Sequence, residues 1–156
     1  MLKYYDCAIV FQEIPDEITL AIEITSCPHR CHNCHSPWLR EDIGKNLSAT
    51  ELMRIVNANP DITCVCFMGG DGKHEYIAYL SDVIHNNTNL KVAMYSGDDC
   101  VDDILLESLD YYKVGSYQED NVPLSSEKTN QKLYYIEEGK KLVDITYKMR
   151  KVTGGF

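Results

Sequence analysis

The sequence predicts an α/β protein, a partial, open (βα) barrel with a mostly parallel sheet. Three observations predict it. Short β-rich runs alternate with amphipathic helical patterns, as in a parallel sheet with right-handed crossovers. The 156 residues are well short of the roughly 250 that a complete eight-fold barrel needs. Polar or glycine-rich motifs begin where successive strands stop, and in βα sheets the working residues sit at those C-terminal ends. The length fits a single domain spanning 1–156.

Strands are expected at 19–25 (TLAIEIT), 62–68 (ITCVCFM), 90–96 (LKVAMYS), 111–115 (YYKVG) and 132–136 (KLYYI), the last as a final strand or hairpin. The first crossover, LSATELMRIVNAN, places Ser48 three residues before Glu51, a capping-box pattern, and then sets Leu52, Ile55 and Val56 on one face. The segment 73–87 carries Tyr76, Leu80, Val83 and Ile84 on a helical stripe. The segment 98–109 does the same with Val101, Ile104, Leu105 and Leu109. Residues 137–156 carry no pattern that places them.

Composition narrows the function. A hydrophobic content of 44% with 25% charged residues is ordinary for a globular chain. No apolar run approaches the roughly 18 residues of a membrane span. The first residues, MLKYYDCAIVFQEIPDE, put acids close behind a short apolar patch, unlike a secretory signal. A cytoplasmic protein without a membrane partner is expected. The net charge of −9 repels phosphate backbones, so no nucleic acid partner is expected.

The seven cysteines decide more. Cytosolic thiols stay reduced, so a cluster of them reads as metal or redox chemistry rather than disulfides. Cys7, Cys64, Cys66 and Cys100 are scattered and read as small apolar fillers. Cys27, Cys31 and Cys34 fall in one loop just after the first expected strand. Structural zinc takes four ligands, its thiols usually in separated pairs; here a Cys₃His site would need His29, His32 or His35. A [4Fe–4S] cluster normally takes four thiolates, so three leave one iron open to a cofactor or substrate.

After the second expected strand comes Gly69-Gly70-Asp71, and after the third Ser96-Gly97. Alone, Gly69-Gly70-Asp71 favours an ordinary strand-end turn, and the preceding cysteine triad reverses that toward a ligand-binding loop; Ser96-Gly97 reads equally as a turn. The three loop histidines are expected to face solvent or bond backbone, and Trp38 is expected in the core. Asp98, Asp99 and Tyr117 are further polar residues near the expected rim.

The spacing C-x-x-x-C-x-x-C after a first strand resembles the signature of the radical S-adenosylmethionine enzymes. The short length and four further stretches resemble the activating proteins of anaerobic ribonucleoside-triphosphate reductases: CHSPWL, MGGDG, LDYYKVGSYQED and KTNQKLYYI, in that order over residues 18–136. Two stretches depart from that family: QEIPDE stands where a Gly-Pro-Gly is common, and GGDGKH where Gly-Gly-Asp-Pro is.

The resemblance implies a partial barrel of the radical S-adenosylmethionine type. It implies a [4Fe–4S] cluster on Cys27, Cys31 and Cys34, with S-adenosyl-L-methionine chelating the open iron. Gly69, Gly70 and Asp71 would orient the methionine end, Ser96 would contact its carboxylate or ribose, and Asn33 and His35 would lie near the adenosine. Reductive cleavage would release a 5′-deoxyadenosyl radical that takes a hydrogen from a glycine of the reductase, leaving a glycyl radical. A flavodoxin-like or ferredoxin-like donor would supply the electron. No general acid or base is required, so no catalytic residue is nominated beyond cluster and cofactor. The rival readings are another small radical enzyme, on a different glycyl-radical protein or a small molecule, a zinc-stabilised interaction domain, and a thiol redox protein.

Overall fold

The computed structural model describes residues 1–29, 36–116, 124, 126 and 129–149. They form one eight-stranded sheet: β1 (Lys3–Val10), β2 (Thr19–Ile24), β3 (Lys45–Asn46), β4 (Cys64–Met68), β5 (Lys91–Tyr95), β6 (Tyr111–Val114), β7 (Lys132–Glu137) and β8 (Lys141–Asp144), in the order β3-β1-β2-β4-β5-β6-β7-β8. The helices are α1 (Ala49–Asn57), α2 (His74–Asn87) and α3 (Asp103–Leu106), with a 3₁₀ turn at Pro37–Arg40. Among the described residues no helix is long and apolar enough to cross a membrane.

This corrects the expected fold class. The sheet is mixed and mostly antiparallel, not a partial (βα) barrel with a mostly parallel sheet. The β2-β4, β4-β5 and β5-β6 pairings are parallel; β1-β2, β1-β3, β6-β7 and β7-β8 are antiparallel. The alternation of strand and helix reports only the central four strands. It is silent on β1, where a register shift between Tyr4 and Cys7 breaks the period-two pattern and most side chains stay partly exposed. It is equally silent on β8. The chain turns there through Gly139 and Lys140, both at positive φ, and returns antiparallel to β7.

The parallel strands are buried on both faces, which is why their sequences are near-continuous apolar runs. Alternation sorts the side chains cleanly. Leu20, Ile22, Val65, Phe67, Val92, Met94, Tyr112 and Val114 point to the face covered by the helices. Cys64, Cys66, Ala93 and Tyr111 point to the other, where Ile14, Leu124, Ile145 and Met149 cover them.

Helix α1 forms as its sequence suggests. The Ser48 side chain accepts from the Glu51 amide at 3.0 Å, and Leu52, Ile55 and Val56 are buried. The reciprocal half of the capping box is not used, because the Glu51 carboxylate bonds Tyr4 and Arg54 instead. In α2 the buried stripe is Ile77, Ala78, Leu80, Ser81 and Ile84. The third expected helix shrinks to the single turn of α3, with Ile104 exposed and Leu105, Leu106 and Leu109 buried. Trp38 is not in the core but 43% exposed. Of the scattered cysteines, Cys64 and Cys66 are buried fillers, whereas Cys7 is half-buried and Cys100 exposed.

Candidate functional site

Because β2, β4, β5 and β6 run parallel and adjacent, the loops that follow them emerge on one rim. The loop after β2 is pinned at both ends. Ser26, at positive φ, donates its amide to Glu41 at 3.1 Å, and the Cys27 amide donates to the Leu39 carbonyl at 2.8 Å. This holds Cys27, half-buried, at the start of the cysteine loop. Cys31, Asn33, Cys34 and His35 lie outside the described residues, as does Tyr117.

The loop after β4 turns through Gly69 and Gly70 at φ +113° and +106°, a region that side chains rarely adopt. At Gly70 space is also closed, since a Cβ would lie 2.8 Å from the Ile77 side chain. The turn presents Asp71 just before α2 begins at His74, where a helix N-terminus favours negative charge.

Asp71 is the hub, its side chain only 3% exposed. The Ser96 hydroxyl donates to Oδ1 at 2.6 Å and the Gly97 amide to Oδ2 at 2.8 Å, both from the loop after β5. His29 Nε2, from the cysteine loop, lies 2.8 Å from Oδ2, and His74 Nε2 lies 3.0 Å from Oδ1. Burial alone would push the Asp71 carboxyl up; the hydrogen bonds from Ser96, His74 and Gly97 and the nearby His29 outweigh it and hold it below the usual carboxylate range.

Asp98 joins from the loop after β5, 3.1 Å from His29 Nε2 and 3.4 Å from His74 Nε2. Burial, then the Asp71 charge, pushes its carboxyl up. Asp102 caps α3 by accepting from the Ile104 amide and holds His74 Nδ1 at 2.7 Å. The loop after β6 is tied in by the Gly115 amide, which donates to the Asp98 carbonyl at 2.7 Å, and by the Ser116 amide, which donates to Asp99 at 3.0 Å.

No family model, curated protein or solved structure matches this chain. The reading of the site therefore stands on its own residues.

The structure brings together Gly69, Gly70, Asp71 and Ser96 from the sequence-predicted set, with Cys27 at the end of the neighbouring strand. His29 departs from expectation: it bonds carboxylates rather than backbone or solvent. His74 was not singled out at all. Its signal was available as the Asp71–His74 pair, spaced i, i+3 at the start of an amphipathic stripe.

Of the three thiols that the cysteine spacing implies as ligands, Cys27 is among the described residues, half-buried on this rim. Asp71 offers a carboxylate on the same rim, and the two glycines before it pack closely against Ile24 and Ile77. On the sheet face opposite α1 and α2 a cavity of about 310 Å³ opens beside the far end of the cysteine loop, bounded by Ser36, Leu39, Met68, Tyr95, Glu13 and Glu23 among others. That volume lies at the lower end of small-ligand sites.

Proposed function

We propose that this chain is a radical S-adenosylmethionine activase. It holds a [4Fe–4S] cluster on Cys27, Cys31 and Cys34 and generates a glycyl radical on an anaerobic ribonucleoside-triphosphate reductase. The observation that carries this reading is the convergence on Asp71: the loops after three adjacent parallel strands meet there through His29, Asp71 itself, and Ser96 with Gly97. The same three loops carry the cysteine, Gly-Gly-Asp and Ser-Gly motifs.

Bound there, the cluster would supply the electron that cleaves S-adenosyl-L-methionine reductively, as metal and cofactor chemistry generally lies outside the protein's own groups. The chain's residues bind and orient. Cys27 supplies one thiolate from a backbone position fixed by the Leu39 carbonyl. Asp71 supplies an anion for the methionine ammonium, and Ser96 and Gly97 fix the direction of its lone pairs. An ammonium arriving there replaces His29 as the partner of Oδ2. The cavity beside the cysteine loop opens on the sheet face opposite α1 and α2, which suits a substrate presented on another protein's loop.

The test is anaerobic reconstitution with iron and sulfide, reduction, addition of S-adenosyl-L-methionine and measurement of 5′-deoxyadenosine. Cysteine-dependent product is expected, followed by a glycyl-radical signal when the reductase is added. One tightly bound zinc with no iron and no product would overturn the proposal in favour of a zinc-stabilised interaction domain.

A further inference from the structure

His29, Asp71, Asp98 and His74 form a cluster of which the radical reading uses only the Asp71 carboxylate. Two imidazole Nε2 atoms face two carboxylates, and each imidazole touches both: His29 at 2.8 and 3.1 Å, His74 at 3.0 and 3.4 Å. One ligand atom from each of His29, Asp71 and Asp98 lies within 4.8 Å of the others. Nitrogen and oxygen ligands bound at about 2.1 Å to a common ion lie about 3.0–3.4 Å from one another, whether octahedral or tetrahedral. The His29 separations, 2.8 Å to Asp71 Oδ2 and 3.1 Å to Asp98 Oδ1, are close to those edges, while His74 faces the other oxygen of each carboxylate.

The outer contacts point the same way. Asp102 lies 2.7 Å from His74 Nδ1, so this nitrogen is the donor, and the other nitrogen is turned toward two carboxylates. A lone pair aimed at carboxylate oxygens needs positive charge between them, supplied by a second ring proton or by a cation. Carboxylate–imidazole–metal relays of this kind orient ligands in metal sites. Asp71 is likewise oriented by Ser96 and the Gly97 amide. The three ligands come from three separate loops, so an ion here would tie the cysteine loop to the ends of β4 and β5.

We infer that His29, Asp71 and Asp98 form a binding site for a first-row divalent cation, separate from the cysteine triad, with His74 holding the far oxygens of both carboxylates. Imidazole with carboxylate suits manganese, iron or zinc, whereas thiolates select softer ions. Mn²⁺ is therefore the probe, since it reads this site and leaves the cysteines alone. Asp71 also serves the proposed ammonium contact, so the cation and S-adenosyl-L-methionine would compete.

The experiment is titration of the full chain with Mn²⁺ under anaerobic conditions, following free Mn²⁺ by electron paramagnetic resonance. One saturable site per chain is expected. His74→Gln and Asp98→Asn should each weaken it at least tenfold, and Asp102→Asn about 10-fold or more through loss of orientation. Cys27→Ala should leave it unchanged, which separates this site from the cluster reading. Electron spin echo spectroscopy of the wild-type complex should show coupled imidazole nitrogen, a readout that needs no variant to fold. Absence of a saturable site, equal affinity in His74→Gln and Asp98→Asn, or no nitrogen coupling would overturn the inference and leave a proton-bridged network in its place.

Discussion

His29 and Asp71 are 42 positions apart in the chain and meet at 2.8 Å. The contact joins the cysteine loop to the turn after β4, and through Asp71 to Ser96 and Gly97 at the end of β5. A buried carboxylate with four polar partners is a costly feature unless all are satisfied. Here they are, and the partners come from three loops, so position and charge at this rim are set jointly.

Gly97 tests that joint setting without touching a charged group. A Cβ there would lie 2.8 Å from His29 Cδ2, but Gly97 itself has no positive φ, so Gly97→Ala moves a ring rather than straining backbone. The thermal midpoint should change little, within about 1 kcal/mol of stability. The ¹⁵N resonances of one imidazole, His29, should shift while those of His74 hold. Unchanged His29 resonances would show that the ring does not sit against Gly97.

Asp71→Asn keeps one oxygen, enough for the Gly97 amide or the Ser96 hydroxyl but not for both, turns an amide toward the other partners and removes the charge. A lost charged hydrogen bond at a buried site costs about 1–3 kcal/mol, a drop of several degrees in thermal midpoint. On the proposed function, 5′-deoxyadenosine formation should fall at least tenfold while iron content stays at the wild-type level. Full activity in this variant would remove Asp71 from the cofactor site.

The rim was more legible than the sheet. Parallel strands covered on both faces leave apolar runs, and the polar motifs that interrupt them mark loop starts, so Gly69, Gly70, Asp71 and Ser96 could be placed together. The edges left no such mark. In β1, Tyr5 and Ile9 are exposed and Asp6 interrupts the run, so period two is lost. The strand β8 is four residues long with both end residues exposed. Those edges turned a nominally parallel sheet into a mostly antiparallel one. The role of His29 was hidden for a different reason: a histidine's partner is set by tertiary contacts, and no spacing in the cysteine loop encodes Asp71.

Lys113 braces the same rim from the opposite face. It is only 8% exposed, and its ammonium donates to the Ser96 and Gly115 carbonyls at 3.1 and 3.0 Å, 5.7 Å from the centre of the Tyr95 ring. Lys113→Met keeps the length and removes the donors from two strand-end carbonyls. Destabilisation of about 1–3 kcal/mol is expected, read as a lower midpoint in urea with an unchanged slope. A variant as stable as the wild type would show that these carbonyls find other donors.

A pH effect on stability should come from His85 and Asp110, well away from the rim. His85 Nε2 lies 2.8 Å from Asp110 Oδ2, and the Val92 amide donates to the same oxygen. The hydrogen bond to Asp110 raises the His85 pKa; burial opposes this, Asp110 and Asp82 add to it, and Lys91 reduces it. Burial would raise the Asp110 pKa, but His85 and the Val92 amide outweigh it and the net shift is downward. The histidine's contribution is therefore complete below its unfolded value, about 6.5, and is lost as pH rises through the elevated folded value. The aspartate's contribution is complete above its unfolded value, about 3.9, and is lost as pH falls through the depressed one. Both are present together between about pH 4 and 6.5. The pair is a third exposed on the histidine side, so screening limits it to about 0.2–1 kcal/mol. His85→Gln should thus lower the thermal midpoint by roughly 1–4 °C at pH 6, and the gap to wild type should close by pH 9. An equal gap at both values would assign the loss to packing of the ring rather than to its charge.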